Sequence, residues 1–392
     1  MKRIVFPGNE FSLSPPNFQL SPLNSHLSTL NSQPSTLNSQ LLPLLFQTMK
    51  KSFLTLILIL TTCLLHAQGA DSTRLKEVIN TLKDRITLSG YTQLAYTYSD
   101  AGEEKTNTFD IKRVILMARG QITDHWSCYF MYSFANTGKI LEAYTEYKFL
   151  PELTVRVGQF KTMFTIENPI SPCFVELINC YSQASNYLAG IDGSDPLYGS
   201  NSGRDLGLLL YGDLFNKYVS YNLALMNGQG INKKDGNNQK DIVGGLTVRP
   251  LGWLALSGSF IKGKGCAVAT SEFNPDIAVG QNYDRNRWAV GATIKTKPID
   301  LRAEYLEGKD GAVKSNGGYA VASVHVLPKF DLIASYDYLN KNKAADLKQT
   351  NYVAGVQWWF YPKCRLQLQY TYCDPHRSEA YNLLQTQVQV RF

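Results

Sequence analysis

From Ile86 to Phe392 the chain alternates apolar and polar residues one by one, in sixteen runs of about ten residues separated by clusters of Gly, Asn, Asp, Pro and Lys. A period of two is that of an extended strand with different surroundings on its two faces. The runs centre near residues 92, 115, 130, 144, 157, 208, 222, 245, 257, 290, 303, 321, 334, 356, 368 and 387. The last is the plainest: Leu384, Thr386, Val388, Val390 and Phe392 fall on one face, and Gln385, Gln387, Gln389 and Arg391 on the other. The run before it sets Leu366, Leu368, Tyr370 and Tyr372 against Arg365, Gln367 and Gln369. The pattern predicts an all-β chain.

Alternation alone does not say which face is the outside, since a soluble sandwich also alternates. Three further features favour a transmembrane antiparallel β-barrel of about 16 strands, its apolar face toward lipid and its polar face toward a hydrated bore. Aromatic residues (Trp126, Phe134, Trp253, Phe260, Trp288, Tyr338, Trp358, Phe360) sit at run ends, where the two membrane interfaces would lie. The chain ends on an aromatic-terminated strand, Gln389-Val390-Arg391-Phe392, similar to the terminal signal read by the bacterial barrel-assembly machinery. Hydrocarbon cannot satisfy free backbone groups at a sheet edge, so such strands must close on themselves.

Upstream of the strands, Leu75, Val78, Ile79 and Leu82 have helical spacing and predict a short N-terminal helix within a periplasmic leader, residues 68–85. Residues 49–67 carry a basic start (Lys50, Lys51), an apolar core and Ala67, the plan of a secretory signal peptide. Residues 1–48 contain a seven-residue repeat beginning at Ser21, Ser28 and Ser35 and have no core-forming pattern. Met49 is therefore the expected initiator, with residues 1–48 a non-translated or disordered extension. Amino-terminal sequencing should find Gln68 first, and any peptide from residues 1–48 would refute this reading.

Composition changes the picture only in part. A mean hydropathy of −0.20 and 18% charged residues suit a soluble protein, but 23 Tyr and 18 Phe suit strands and membrane interfaces. Removing residues 1–67 takes away Lys2, Arg3, Lys50, Lys51 and Glu10, which reduces the net charge of +7 to +4. No basic block stands out, so nucleic acid is not an expected partner. Six cysteines follow residue 67 without the spacing of a zinc site. Cys173 and Cys180 could pair across a loop, whereas Cys364 and Cys373 stand too far apart along one extended run. Asp192-Gly193-Ser194-Asp195 reads as a turn rather than a calcium loop, and no cofactor is implied. After residue 67 only His125, His325 and His376 could serve as imidazole bases, and none shares a motif with a nucleophilic serine, so an enzyme is not expected.

The stretch from Phe109 to Asn227 resembles the phosphate-selective porin O and P family. The residues that carry the likeness are Phe109-Asp110-Ile111-Lys112-Arg113, Gly120 with Trp126, Glu142-Ala143-Tyr144, Leu153-Thr154-Val155-Arg156-Val157-Gly158-Gln159-Phe160-Lys161, and Gly203-Arg204-Asp205-Leu206-Gly207. The resemblance implies a homotrimeric channel in the Gram-negative outer membrane, with a basic lumen and a long loop folded inward to constrict it.

Alternation places Arg113, Arg119, Arg156, Arg302 and Arg365 opposite the apolar face, while Lys161 and Arg204 flank the connection Thr162 to Gly203. These seven are the pore-lining, anion-contact candidates, because a guanidinium offers fixed donors to anionic oxygens. An equally open alternative makes each a wall charge paired with Glu142, Glu146 or Glu304. The long connection is the expected constriction loop. It has no Lys or Arg and carries Glu167, Glu176, Asp192 and Asp195, with Asn168 and Leu177 where the family has basic residues. An acidic loop facing an arginine wall predicts a transverse field and weak anion preference for small solutes, rather than a tight phosphate site. A binding or adhesion barrel with a plugged lumen, and less so an enzyme barrel, are the alternatives.

Overall fold

The computed structural model describes residues 83–135 and 137–392. The low-complexity segment, the signal peptide and residues 68–82 of the expected leader, with all four residues that predict its helix, lie outside the described residues. Residues 83–85 are helical and run directly into the first strand.

Sixteen strands follow: β1 (Ile86–Ser99), β2 (Thr106–Gln121), β3 (Trp126–Ser133), β4 (Lys139–Leu150), β5 (Leu153–Lys161), β6 (Arg204–Leu214), β7 (Val219–Met226), β8 (Asp241–Leu251), β9 (Leu254–Cys266), β10 (Asn282–Lys295), β11 (Ile299–Asp310), β12 (Val313–Leu327), β13 (Phe330–Asn340), β14 (Lys348–Tyr361), β15 (Cys364–Asp374) and β16 (Tyr381–Arg391). Each predicted centre falls inside one of them. Every strand pairs antiparallel with its sequence neighbours, and β16 returns to β1, so the sheet is a closed barrel. At the seam Tyr91 faces Arg391 and Leu94 faces Val388. Phe392 completes it, its backbone N–H donating to the Gly90 carbonyl at 3.1 Å and its carbonyl accepting from Gly90 at 3.2 Å.

The outer wall is apolar because only lipid can cover it. Along β16, Val388 and Val390 are 39% and 50% exposed, while Gln387 and Gln389 are 1% and 0% exposed. Outward aromatics gather at both ends of the wall, as in the Phe330–Trp358 stack (5.9 Å) near the short turns and the Trp288–Tyr305 pair (5.6 Å) near the longer loops. In outer-membrane barrels short turns face the periplasm and long loops the exterior. Gly158 on β5 has φ +134°, and a Cβ there would lie 2.3 Å from the Ala143 carbonyl oxygen, so the Arg156-Val157-Gly158 run needs glycine at its third place.

The interior departs from the expected water-facing surface. Residues between β5 and β6 form an inward loop whose one helix, α1 (Gln183–Leu188), lies within the barrel. Phe164, Leu177, Ala184, Tyr187 and Leu188 of this loop pack on inward-facing Leu209, Met226, Val243, Leu306, Ile333 and Leu339 of the wall. The inner face is thus apolar wherever the loop covers it and polar elsewhere. All six cysteines after residue 67 are free thiols; Cys173 and Cys180 are buried and unbridged, and Cys364 and Cys373 sit near opposite ends of β15.

Candidate functional site

The inward loop, residues 162–203, is moored to the wall by three kinds of contact. Its neck is closed by Asn168, whose side-chain amide donates to the carbonyls of Thr162 (2.7 Å) and Gly203 (2.9 Å). Lys161 donates to the carbonyls of Asn168 and Ile170 (both 2.7 Å) and to the Tyr181 hydroxyl (2.8 Å). Glutamines on β1, β15 and β16 form a second mooring, a polar panel that reads loop backbone. Gln367 and Gln369 each donate to the Glu176 carbonyl at 2.8 Å, Gln369 accepts from Ile178 N–H at 2.8 Å, and Gln389 donates to the Cys173 carbonyl at 3.2 Å. Third, buried charges on the opposite wall engage the loop. Glu304 accepts from Ile166 N–H (2.9 Å), Asp337 accepts from Gln183 N–H (2.9 Å) at the start of α1, and Arg287 donates to Asp195 (2.7 Å) and the Leu188 carbonyl (2.6 Å).

On the β1–β5 side, a cavity of about 510 Å³ separates the loop from the wall. Arg119, Arg156, Lys161, Arg204, Lys363 and Arg391 line it, with Glu142 and the loop's Phe174 among them. Arg156 makes a forked contact with Glu146 (3.0 and 2.7 Å) and lies 4.1 Å above the Tyr144 ring. Arg119 reaches the other oxygen of Glu146 at 3.0 Å. Arg391 lies 4.4 Å over the ring of Phe174, itself 61% exposed. A larger cavity, about 980 Å³, lies toward the short turns and mixes Arg249, Lys295 and Arg302 with Asp213, Glu176 and Asp300. Both cavities touch Met163, Pro169, Ser171 and Phe174, the part of the loop lying between them.

The seven basic residues singled out in the sequence therefore divide by position. Arg119, Arg156 and Arg204 line the smaller cavity, each against a glutamate; Arg204 meets Glu142 at 2.7 Å. Arg113 donates to Gln93 at 2.9 Å and is half-buried. Lys161, Arg302 and Arg365 are buried and engage the loop, and Lys161 also lines the smaller cavity. Arg302 meets Glu176 (2.8 Å) and Glu167 (3.3 Å), and Arg365 donates to the Val175 carbonyl at 2.7 Å. These contacts bear on the transverse field expected from an acidic loop facing an arginine wall. Glu167 and Glu176 share Arg302, and Asp195 shares Arg287 with Asp310, so three of the four acids are paired with wall arginines at contact distance and do not face them across open water. Only Asp192 is exposed, and it caps Ser194 N–H at 2.9 Å. His325 is engaged by Asp331 at 2.7 Å, and Asp331 accepts from Trp359 at 2.9 Å, which is a wall contact.

Sequence reasoning missed Arg285, Arg287, Lys363, Arg391 and the glutamine panel. Arg285 and Arg287 alternate with outward Trp288 and Val290 on β10, a signal present in the pattern. That Gln367, Gln369 and Gln389 meet one loop segment required knowing the β15–β16 register.

Residues 86–172 match the family model described as phosphate-selective porin O and P. The match covers β1 to β5 and the start of the loop, so the Gly203-Arg204-Asp205-Leu206-Gly207 motif lies beyond it. No curated protein matches the chain. Among solved structures, the chain is similar to an anion-selective porin from Comamonas acidovorans (16% identity, 78% of this chain and 99% of that one, TM-score 0.60). It is similar also to OprB of Pseudomonas putida (12%, 80% and 96%, TM-score 0.62) and to the outer-membrane channel DcaP of Acinetobacter baumannii (13%, 78% and 97%, TM-score 0.55). At these identities the likeness establishes the fold.

Proposed function

We propose, from the match of residues 86–172 to the phosphate-selective porin O and P family model, that this chain is an outer-membrane channel passing small hydrophilic solutes by passive diffusion, with a weak preference for anions. The observation that carries the preference is the cavity between loop and β1–β5 wall, where six basic side chains stand with Glu142. Arginine forks and a lysine lower the energy of an anion that has shed part of its hydration. The preference is weak because Arg119, Arg156 and Arg204 already satisfy Glu146 and Glu142, and because the loop brings no cation of its own. A tight phosphate site would need uncommitted donors. The Comamonas relative is described as anion-selective, which supports the same sign.

The rest of the proposal follows the same family reading: export by residues 49–67, insertion through the strand ending in Phe392, and assembly as a homotrimer. Planar bilayers across a potassium chloride gradient test the selectivity. The reversal potential should have the sign of a mildly anion-selective pore, and a cation-selective sign would overturn the proposal. A second reading, a barrel with a plugged lumen, is favoured by one feature. Cys173 of the loop and Ile231 of the β7–β8 connection pack together with Tyr91, Ile115, Met131 and Leu141 of the wall. Absence of conductance steps from folded, inserted protein would select it.

A further inference from the structure

The outer wall carries a charged feature that passive diffusion through the bore does not use. Cross-strand register aligns Lys262 of β9, Asn286 of β10, Lys309 of β11 and Lys314 of β12 in a single row at the long-loop end of the barrel. All four residues are exposed. Directly beneath, toward the middle of the membrane, the next row reads Phe260, Trp288, Glu307 and Asn316. Strand spacing puts Lys262 and Lys314 about 14 Å apart. Lys309 and Lys314 stand directly opposite each other, an arrangement that repels and destabilises a strand pair. Among the described residues, neither they nor Lys262 have a carboxylate within 4.0 Å. The nearby acids are engaged by other lysines, Asp284 with Lys264 at 4.0 Å and Glu307 with Lys343 at 3.8 Å.

A row of ammonium groups with no carboxylate at contact distance, bordered by Phe260 and Trp288 at its β9–β10 end and by an acyl-facing wall below, fits one kind of occupant, a molecule with anionic groups at the interface and hydrocarbon below it. We propose that Lys262, Lys309 and Lys314 bind the phosphate groups of a lipid headgroup in the leaflet on the long-loop side. The headgroup carries more than one phosphate, because the row spans several strands and offers three separate cations. Lysine suits this place, since its long apolar stem can lie along the aromatic band while the ammonium stays at headgroup level. The lipid removes the Lys309–Lys314 repulsion and fixes the depth of this sector of wall.

The test uses the folded full-length protein in neutral detergent, titrated with diphosphoryl lipid A, phosphatidylcholine or inorganic phosphate and read by native mass spectrometry. Diphosphoryl lipid A should be retained and phosphatidylcholine should not. A surface lysine contributes about fivefold to binding of an anionic headgroup, so the triple variant K262Q/K309Q/K314Q should bind on the order of a hundredfold more weakly. K264Q, which removes a lysine already facing Asp284, should change binding less than about threefold. Heat-modifiable gel migration checks that each variant is folded; if the triple variant does not fold, K314Q alone should show the single-lysine loss. Undiminished lipid A binding by the folded variants overturns the proposal. So does equal retention of phosphatidylcholine, or displacement of lipid A by millimolar inorganic phosphate, which would mark a small-anion site.

Discussion

Arg287→Ala should give a channel with larger and noisier conductance steps than the parent, because it cuts the main charged mooring of the distal half of the inward loop. The Arg287 side chain is wholly buried on β10, and its guanidinium serves three acceptors at once: Asp195 on the loop, Asp310 at the end of β11, and the Leu188 carbonyl at the end of α1. Removing it leaves two buried carboxylates without a cation, and breaking a buried pair in this way costs about 3–5 kcal/mol. The barrel itself is held by sixteen strand pairs, so the loss falls on the loop and not on closure. Water entering around Asp195 would compete with the packing of Leu188 and Tyr187 on the wall. The parent and Arg287→Ala should therefore show similar heat-modifiable migration but different single-channel records. Identical conductance and noise would mean that the glutamine panel and the apolar packing hold the loop unaided.

The barrel was legible in the sequence because its determinant is local and periodic. Period-two alternation is imposed residue by residue wherever one face meets lipid, so Leu384 to Phe392 announce a strand without any knowledge of its partner. The position of the loop was legible for a similar reason: the connection from Thr162 to Gly203 is too long for a turn. What the loop does inside the bore was not legible. Phe164, Leu177 and Leu188 could be seen as apolar, but their partners Leu209, Met226 and Leu339 come from distant strands, and only closure brings them together. The same reason explains the arginines. Alternation tells which face Arg302 and Arg156 are on, but both readings of such a residue, free in the pore or paired in the wall, share that face. Height along the strand and the path of the loop decide: Arg302 lies beneath Glu167 and Glu176, whereas Arg156 stands beside a cavity. Asn168 is instructive in another way. At a position where a cation was expected it closes the loop neck through two carbonyls, a task that the two donors of a primary amide suit.

If the cavity beside β1–β5 is the conducting path, the double variant R119Q/R156Q should invert the selectivity of the channel from anions to cations. Both arginines converge on Glu146, which at present is covered by the Arg156 fork, by Arg119 and by the Tyr211 hydroxyl at 2.9 Å. The substitutions remove two positive charges and leave Glu146, behind the cavity lining, with neutral partners, while the amides can still hydrogen-bond to it and keep the wall in place. A single charge about 7 Å from a permeating ion in a water-filled space contributes roughly 0.6 kcal/mol, with opposite sign for an anion and a cation, or about sevenfold in their permeability ratio. Two charges should therefore shift the chloride-to-potassium permeability ratio by on the order of fiftyfold, enough to carry a weakly anion-selective pore past neutrality. Salt attenuates the shift, so it should be larger in 0.01 M than in 1 M potassium chloride, where the screening length falls from about 30 Å to about 3 Å. Lys348→Gln, which removes a cation near the long-loop rim where it pairs with Asp346 at 2.9 Å, should leave the ratio unchanged. A double variant that keeps the parental reversal potential would place the conducting path elsewhere, through the larger cavity lined by Arg249, Asp213 and Asp300.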